Sequence, residues 1–122
     1  MIQLRSLLKV ADNSGGQIVR CFQIRGGSYH RYGQIGDIIM ASVQVAKPRK
    51  TVKKKDIVRC VIVRQCKNYK RKNGTYIKFD DNAVVIVNDK KEPVGTRIFG
   101  PIPREIKDKG YNKIIELGPE LV

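Results

Sequence analysis

The side chains in this sequence that could perform catalysis are few and scattered. His30 is the only histidine and stands between Tyr29 and Arg31, so we expect polar contacts within a loop rather than general-base work. Asp80 and Asp81 are adjacent and could bind Mg²⁺ as in a nuclease, but Asp is also favoured in tight turns between strands. The sequence therefore predicts a protein that is not an enzyme, with a small nuclease as the catalytic alternative.

The cysteines and glycines do not form a metal or cofactor site either. Cys21, Cys60 and Cys66 are predicted to be reduced thiols of an intracellular protein, and their spacing does not make a zinc site. The glycine pairs at 15–16 and 26–27 lack the spacing of a phosphate-binding loop. We expect no cofactor, no metal, no signal peptide and no membrane span.

Positive charge gives the strongest signal for function. The chain of 122 residues has a net charge of +14, and residues 47–78 hold thirteen of its 25 Lys and Arg residues but only one of its 11 acids, Asp56. A solvated surface normally mixes both signs, whereas a long stretch of one sign calls for a counter-charge, most commonly polyphosphate. The composition therefore indicates a nucleic-acid-binding protein.

Aromatic residues are interleaved with these basic ones. Tyr29, Tyr32, Tyr69 and Tyr76 could each stack on an unpaired base or pack at the rim of a β-barrel, and both roles stay open. The interleaving favours RNA over duplex DNA, and no segment has the character of a recognition helix. A free regulator that binds single-stranded RNA is one class of function that fits.

Short apolar segments position the basic residues, and their patterns are typical of strands. Ile57–Val63 and Ala83–Val87 are β-branched runs typical of buried strands, whereas Gln17–Arg25 and Asp37–Val45 alternate apolar and polar residues. Lys67–Gly74 ends in the Asn-Gly pair of a tight hairpin turn, and the residues after it, 75–79, alternate again.

The remaining segments predict a basic arm and a helical tail. Arg49–Lys55 is the basic arm, either the tip of an extended ribbon or a mobile loop. Arg104–Lys109 and Tyr111–Leu117 are predicted to be short helices, with Gly110 ending the first. The pattern therefore predicts a mainly β fold in one domain over residues 1–122, a small closed barrel followed by a helical tail at about 103–118.

The C-terminal third differs in character, because residues 79–122 are nearly neutral. Ile98, Phe99 and Ile102 lie in an irregular segment rich in Gly and Pro and are predicted to be exposed. They would either cap the open end of the barrel or form a protein-binding surface, and both alternatives stay open.

Several motifs, in order, resemble protein fourteen of the large ribosomal subunit, a universal family, here of the bacterial or organellar type. The family's signature is matched by Val61-Ile62-Val63, Asn73-Gly74, Phe79, Asn82 and Val85-Ile86. Further matches are Asp12-Asn13-Ser14-Gly15, Gly26-Gly27-Ser28, Arg31-Tyr32, Gly36-Asp37 and the segment 95–101. Departures are Cys60 in place of Gly or Ala, His30 in place of Arg, Gly16 in place of Ala, and Pro103.

The resemblance implies a five-stranded β-barrel with a protruding ribbon and small C-terminal helices. It implies a structural constituent of the large subunit that binds large-subunit rRNA, contacts proteins three and nineteen, and touches small-subunit rRNA at the subunit interface. It also implies that the ribosomal silencing factor docks on the C-terminal side. The location implied is the cytoplasmic ribosome of a bacterium or the ribosome of an organelle.

Two sets of site residues follow. The residues expected to bind rRNA, mainly through phosphates, are Asn13, Ser14, Arg31, Arg49, Lys50, Lys53, Lys54, Arg64, Lys67, Lys70, Arg71, Lys72 and Lys78. The residues expected to bind protein are Thr96, Arg97, Ile98, Phe99 and Lys113, and the resemblance implies that Thr96, Arg97 and Lys113 meet the silencing factor.

Overall fold

A computed structural model describes residues 2–25 and 32–122 of the chain. Its strands are β1 (Leu7–Val10), β2 (Gly16–Ile24), β3 (Ile38–Ala46), β4 (Ile57–Arg64), β5 (Tyr69–Lys70), β6 (Tyr76–Ile77), β7 (Ala83–Val87), β8 (Pro101–Ile102) and β9 (Glu120–Leu121). Strands β1, β2, β3, β4 and β7 form a closed barrel, antiparallel except where β1 meets β7. The predicted mainly β fold with a five-stranded closed barrel is confirmed.

The barrel interior is filled by alternate side chains of its strands. Leu8, Val19, Ile39, Ile62 and Ile86 are buried together there. Successive side chains of a strand point to opposite faces, which is why β3 alternates buried and half-buried residues along most of its length.

A second apolar cluster covers the outside of β4 and β7. Val61 and Val85 point outward from these strands and pack with Ile98, Ile106 and Ile114. Both faces of β7, and of β4 from Cys60 onward, are therefore buried, which explains why these sequences are apolar runs rather than alternating ones.

Strands β5 and β6 form the hairpin predicted around Asn73-Gly74, outside the barrel. Gly74 has a φ of +88°, a left-handed conformation that glycine adopts without steric cost. Only Tyr76–Ile77 of the predicted segment 75–79 is paired, because the two strands form a sheet of their own.

The C-terminal tail contains the two predicted short helices, α1 (Glu105–Asp108) and α2 (Asn112–Leu117). Gly110, with a φ of +92°, separates them. The parallel pairing of β8 with β9 was not predicted, because two residues are too few to show a pattern.

The expectation that Ile98 and Ile102 are exposed is wrong. They are 2% and 1% exposed and belong to the second apolar cluster, which covers the outside of β4 and β7. Phe99 is the exposed member of the three, with 53% of its surface accessible.

Two findings apply to the described residues only. Within residues 2–25 and 32–122, no helix is long and apolar enough to cross a membrane. Within the same ranges, no group of three or more His, Cys, Asp or Glu side chains is placed to hold a metal ion.

Candidate nucleic-acid interface

The basic arm, Arg49–Lys55, joins β3 to β4 and folds back onto the end of the barrel. Val52, its one apolar side chain, is 5% exposed and belongs to the barrel core. The Val52 amide donates to the Ser14 carbonyl at 3.2 Å, and the Lys47 amide donates to the Gly15 carbonyl at 2.8 Å. The arm is therefore a loop anchored by Val52 rather than the tip of an extended ribbon.

Anchoring of Val52 leaves its basic neighbours in solvent. Asp56 Oδ2 accepts a hydrogen bond from the Lys53 amide at 3.0 Å, so the one acid within residues 47–78 closes a local turn. The exposed basic side chains of the arm are Arg49, Lys50, Lys53, Lys54 and Lys55. Their positive charge is presented beside the turn between β1 and β2.

Gly15 allows the arm to lie against that turn. Its φ is +114°, and a Cβ atom there would collide with Cβ of Lys50 and stand 3.2 Å from the carbonyl oxygen of Val52. Only glycine combines this backbone conformation with so close an approach. The turn at 13–16 and the basic arm, separated in sequence, thus form one surface.

The hairpin β5–β6 presents a second set of exposed lysines. Asn73 Oδ1 accepts hydrogen bonds from the Thr75 amide at 3.0 Å and from the Thr75 hydroxyl at 2.6 Å, which fixes the turn. The exposed lysines on and beside the hairpin are Lys67, Lys70, Lys72 and Lys78. Within the described part of the chain, none of the four forms an ion pair.

Arg71 differs from these lysines, because it attaches the hairpin to the C-terminal tail. Its Nε lies 2.9 Å from Glu105 Oε1, and its Nη2 donates to the Val122 carbonyl at 2.6 Å. The Nε–Oε1 contact has the distance of an ion pair without the angle of a hydrogen bond. The guanidinium predicted to meet RNA is therefore held mainly by protein groups.

Arg64 is buried, contrary to the prediction that it faces RNA. It is 8% exposed, and its Nε donates to Asp81 Oδ1 at 3.0 Å. Its Nη1 donates to the carbonyls of Phe99 at 2.9 Å and Pro101 at 3.3 Å. Arg64 thus joins β4 to the segment that covers the barrel, and we leave it out of the proposed RNA-binding surface.

The side chains of Asn13 and Ser14 are also occupied within the protein. Asn13 Oδ1 accepts from the amides of Thr96 at 2.8 Å and Arg97 at 3.1 Å, and its Nδ2 donates to Thr96 Oγ1 at 3.0 Å. Ser14 is buried, and its hydroxyl donates to Asp12 Oδ1 at 2.6 Å. These side chains therefore stabilise the turn and its contact with residues 96–97, and their hydrogen-bonding groups are largely occupied.

Asp12 is a buried carboxylate at the base of this turn. Besides the Ser14 hydroxyl, it accepts from the Ser14 amide at 3.1 Å and, through Oδ2, from the Ile86 amide at 3.0 Å. Burial raises the pKa of Asp12 above its usual 3.8, and the hydrogen bonds from Ser14 and Ile86 offset part of that rise. Asp12 thus connects the β1–β2 turn to β7.

We expect Asp12→Asn to lower the free energy of unfolding by about 1–3 kcal/mol, because an amide NH₂ would face a buried N–H donor. A raised pKa in the folded state stabilises the fold below the usual pKa of 3.8, and this is lost as the pH rises through the folded-state value. The advantage of the wild type over Asp12→Asn should therefore be larger at about pH 4 than at about pH 7 in urea unfolding. The exposed Asp80→Asn is the control, and equal stabilities of wild type and Asp12→Asn would contradict the expectation.

Two of the residues predicted to bind protein, Thr96 and Arg97, lie next to this turn. The side chains of Thr96 and Arg97 are exposed, although Asn13 holds the Arg97 backbone through its amide and its carbonyl. Lys113 Nζ lies 2.7 Å from Glu92 Oε1, and this hydrogen bond and charge lower the pKa of Glu92. The predicted RNA and protein surfaces therefore adjoin each other rather than lying far apart.

Some candidate residues fall outside the described part of the chain or have a structural role. Arg31, Tyr29 and His30 lie outside the described residues. Tyr69 packs against the second apolar cluster, so it fits the packing alternative. Tyr76 is 64% exposed, so its ring is accessible for stacking on a nucleobase.

The residues considered for nuclease or thiol chemistry have ordinary structural surroundings. Asp81 is ion-paired with Arg64, which leaves only Asp80 in solvent as a candidate metal ligand. Cys21 and Cys60 are buried, and burial raises the pKa of both thiols, far above the usual range for Cys60. The thiolate forms that react or bind metals are therefore disfavoured at both positions.

Sequence reasoning missed two lysines that the fold brings to this surface. Lys9 on β1 and Lys47 at the end of β3 line a cavity beside Asn13 and Phe99, together with Lys50. Lys47 belongs to the basic stretch 47–78 but was not among the residues expected to bind rRNA. Lys9 gave no signal, because its position depends on the pairing of β1 with β2.

A comparison with protein-family models agrees with the motifs. The model described as ribosomal protein L14p/L23e matches residues 1–122 of the chain. The match covers every motif that carries the resemblance, from Asp12 to Pro101.

Proposed function

This chain belongs to the ribosomal protein L14p/L23e family, and from that premise we propose which of its surfaces bind rRNA and which bind protein. Membership makes it a non-enzymatic structural constituent of the ribosome that binds large-subunit rRNA. We propose that phosphates are bound by eight of the exposed basic residues on the arm and on or beside the hairpin: Arg49, Lys50, Lys53, Lys54, Lys67, Lys70, Lys72 and Lys78.

One observation carries this proposal. All eight side chains are exposed, and within the described part of the chain none of them forms an ion pair with an acid. Exposed cations without counter-charges repel one another until phosphates approach and release their counterions. Arg64 and Arg71, in contrast, already have acidic partners.

Sedimentation of the native protein tests the function. In a sucrose gradient at moderate salt, the protein should migrate with large ribosomal subunits, and it should leave them as the salt concentration rises. Recovery only at the top of the gradient at every salt concentration would favour a free RNA-binding regulator and would contradict the proposal.

We further propose that the protein stands at the subunit interface, in a bacterial or organellar ribosome. Its neighbours there would be large-subunit proteins three and nineteen and small-subunit rRNA. Exposed apolar side chains on the barrel support additional protein contacts, since Leu7, Phe22 and Ile57 are all solvent-accessible.

The ribosomal silencing factor is the proposed regulatory partner, at Thr96, Arg97 and Lys113. These three side chains are exposed, and the segment 88–99 connects them because Glu92 pairs with Lys113. A protein seated there would occupy space that the small subunit needs. Regulation would thus operate by steric exclusion rather than by chemistry.

We expect the double variant Arg97→Ala/Lys113→Ala to lose about 1–4 kcal/mol of binding free energy for the silencing factor. Binding to rRNA should stay nearly unchanged, because Asn13 holds Arg97 only through backbone atoms, which the substitution retains. Titration of the labelled factor and of rRNA against each variant measures both affinities. Lys107→Ala on α1, also exposed, is the matched control, and equal losses for rRNA and factor would contradict separate surfaces.

A further inference from the structure

Phe99, which is 53% exposed, lines a cavity of about 400 Å³ at the end of the barrel. The cavity lies between the β1–β2 turn and the residues around the basic arm, and Gln17 contributes to its wall. Its volume lies within the range of roughly 300–1,000 Å³ that is typical of sites for small ligands. A single exposed phenylalanine is ordinary on a protein surface, but this one borders a formed cavity.

The backbone of Phe99 is held on both sides by hydrogen bonds. Its amide donates to the Ala11 carbonyl at 2.6 Å, and its carbonyl accepts from Arg64 Nη1 at 2.9 Å. Gly100 follows with a φ of +83°, where the Arg64 guanidinium leaves no room for a Cβ atom. A ligand that packs on the ring therefore loses little entropy to ordering the chain.

The charge around the cavity is positive. Lys9, Lys47 and Lys50 line it and are exposed, and its one acid is Asp12. Asp12 is buried, and both of its oxygens accept hydrogen bonds from Ser14 and Ile86. The accessible lining thus combines three cations with one aromatic face.

We propose that this cavity binds one unstacked nucleotide of the rRNA, with its base on the Phe99 ring and its phosphates beside Lys9, Lys47 and Lys50. The inference rests on the proposed function and assigns Phe99 to RNA rather than to protein. Aromatic rings stack on bases of any identity, and lysines bind the flanking phosphates without sequence preference. The exposed side-chain amide of Gln17 can read a base edge, since it offers both a donor and an acceptor, whereas the Asn13 amide is already bonded to residues 96–97.

A protein side chain is the competing occupant, and the charges disfavour it. An apolar side chain on Phe99 would bring three ammonium groups against the partner surface, which would need its own acids to compensate. A nucleotide brings an apolar face and negative charge in one group. The combination of ring and lysines therefore favours RNA.

The test compares Phe99→Leu, which removes the aromatic face, with Phe99→Tyr, which retains it. Against large-subunit rRNA transcribed in vitro, Phe99→Leu should weaken binding by roughly 5- to 50-fold, and Phe99→Tyr by less than about twofold. Phe22→Leu is the matched control, because Phe22 is also about half exposed but lies on β2 away from this cavity, and it should bind like the wild type.

Ultraviolet crosslinking and salt dependence locate the site. Wild type and Phe99→Tyr should crosslink rRNA at residue 99, and Phe99→Leu should not. Lys9→Gln and Lys47→Gln should each reduce the slope of log K against log salt by about one, whereas Phe99→Leu should leave that slope unchanged.

The outcomes separate the nucleotide site from the function on which it rests. If Phe99→Leu bound rRNA as tightly as the wild type, and the wild type gave no crosslink at residue 99 but a normal salt slope, the nucleotide site alone would be overturned. If Phe99→Leu lost binding to the silencing factor but bound rRNA as the wild type does, the cavity would be assigned to a protein side chain, and the inference would also be overturned. A wild type that does not bind rRNA at all would contradict the proposed function itself.

Discussion

Replacing six exposed lysines by glutamine is expected to remove most of the electrostatic affinity for rRNA. The six lie on the arm and the hairpin: Lys50, Lys53, Lys54, Lys67, Lys70 and Lys72. Each neutralised phosphate contributes about 0.7–0.9 to the slope of log K against log salt, so the slope should flatten by about four to five. The measurement is the rRNA affinity of wild type and variant across a series of salt concentrations.

Protein stability should not fall in this variant, because all six side chains are exposed and like charges are being removed. Two triple variants that remove the same number of charges separate the effect of position from the effect of net charge. The triple variant Lys50→Gln/Lys53→Gln/Lys54→Gln should flatten the slope by about two to three. Lys90→Gln/Lys91→Gln/Lys107→Gln, also exposed but on the C-terminal side, should leave it unchanged. Equal effects of the two triples would show that only net charge matters.

The strands were predictable wherever burial leaves a periodic pattern in the sequence. Asp37–Val45 alternates because one face of β3 lines the barrel, and the observed strand is Ile38–Ala46. The run Ile57–Val63 does not alternate because both faces of β4 are covered from Cys60 onward, and the observed strand is Ile57–Arg64. Local sequence is sufficient in these cases because each residue's partner is simply the apolar interior.

The arm shows a signal that was present but not used. Val52 is a single apolar residue among basic ones, and the burial of its side chain causes the arm to fold back onto the barrel. Burying a valine contributes about 1.5–3 kcal/mol, enough to fix the path of a short loop. Its lysine neighbours are then exposed by the same constraint.

The role of a side chain whose partner is distant in sequence could not be predicted from the sequence. Asn13 and Thr96 are 83 residues apart and hydrogen-bonded, and nothing in either segment indicates the other. Likewise, Arg64 and Lys67 look equivalent in a basic stretch, yet one is buried beside Asp81 and the other is exposed. Tertiary structure alone distinguishes a cation that holds the protein together from one that is available to RNA.

The substitution Arg64→Met tests whether Arg64 stabilises the protein or binds RNA. It removes the donors to the Phe99 and Pro101 carbonyls and leaves the partly buried Asp81 without its partner. We expect a loss of about 3 kcal/mol in the free energy of unfolding, below the largest values for buried pairs because water can still reach Asp81. For a domain of this size, that corresponds to a fall in Tm of roughly 10 °C.

Arg59→Met is the matched control for this prediction, since it replaces the same residue type on the same strand. Arg59 Nη1 lies 3.8 Å from Asp89 Oδ1 and donates a long hydrogen bond of 3.4 Å to the Asp89 carbonyl, and the Asp89 side chain is fully exposed, so Tm should fall far less. The salt slope for rRNA decides the role of Arg64, because a residue held within the protein adds nothing to it. If Arg64→Met kept the wild-type Tm but reduced the slope by about one, Arg64 would be a phosphate contact after all. The hydrogen bonds to Phe99 and Pro101 would then be too weak to hold the covering segment on the barrel.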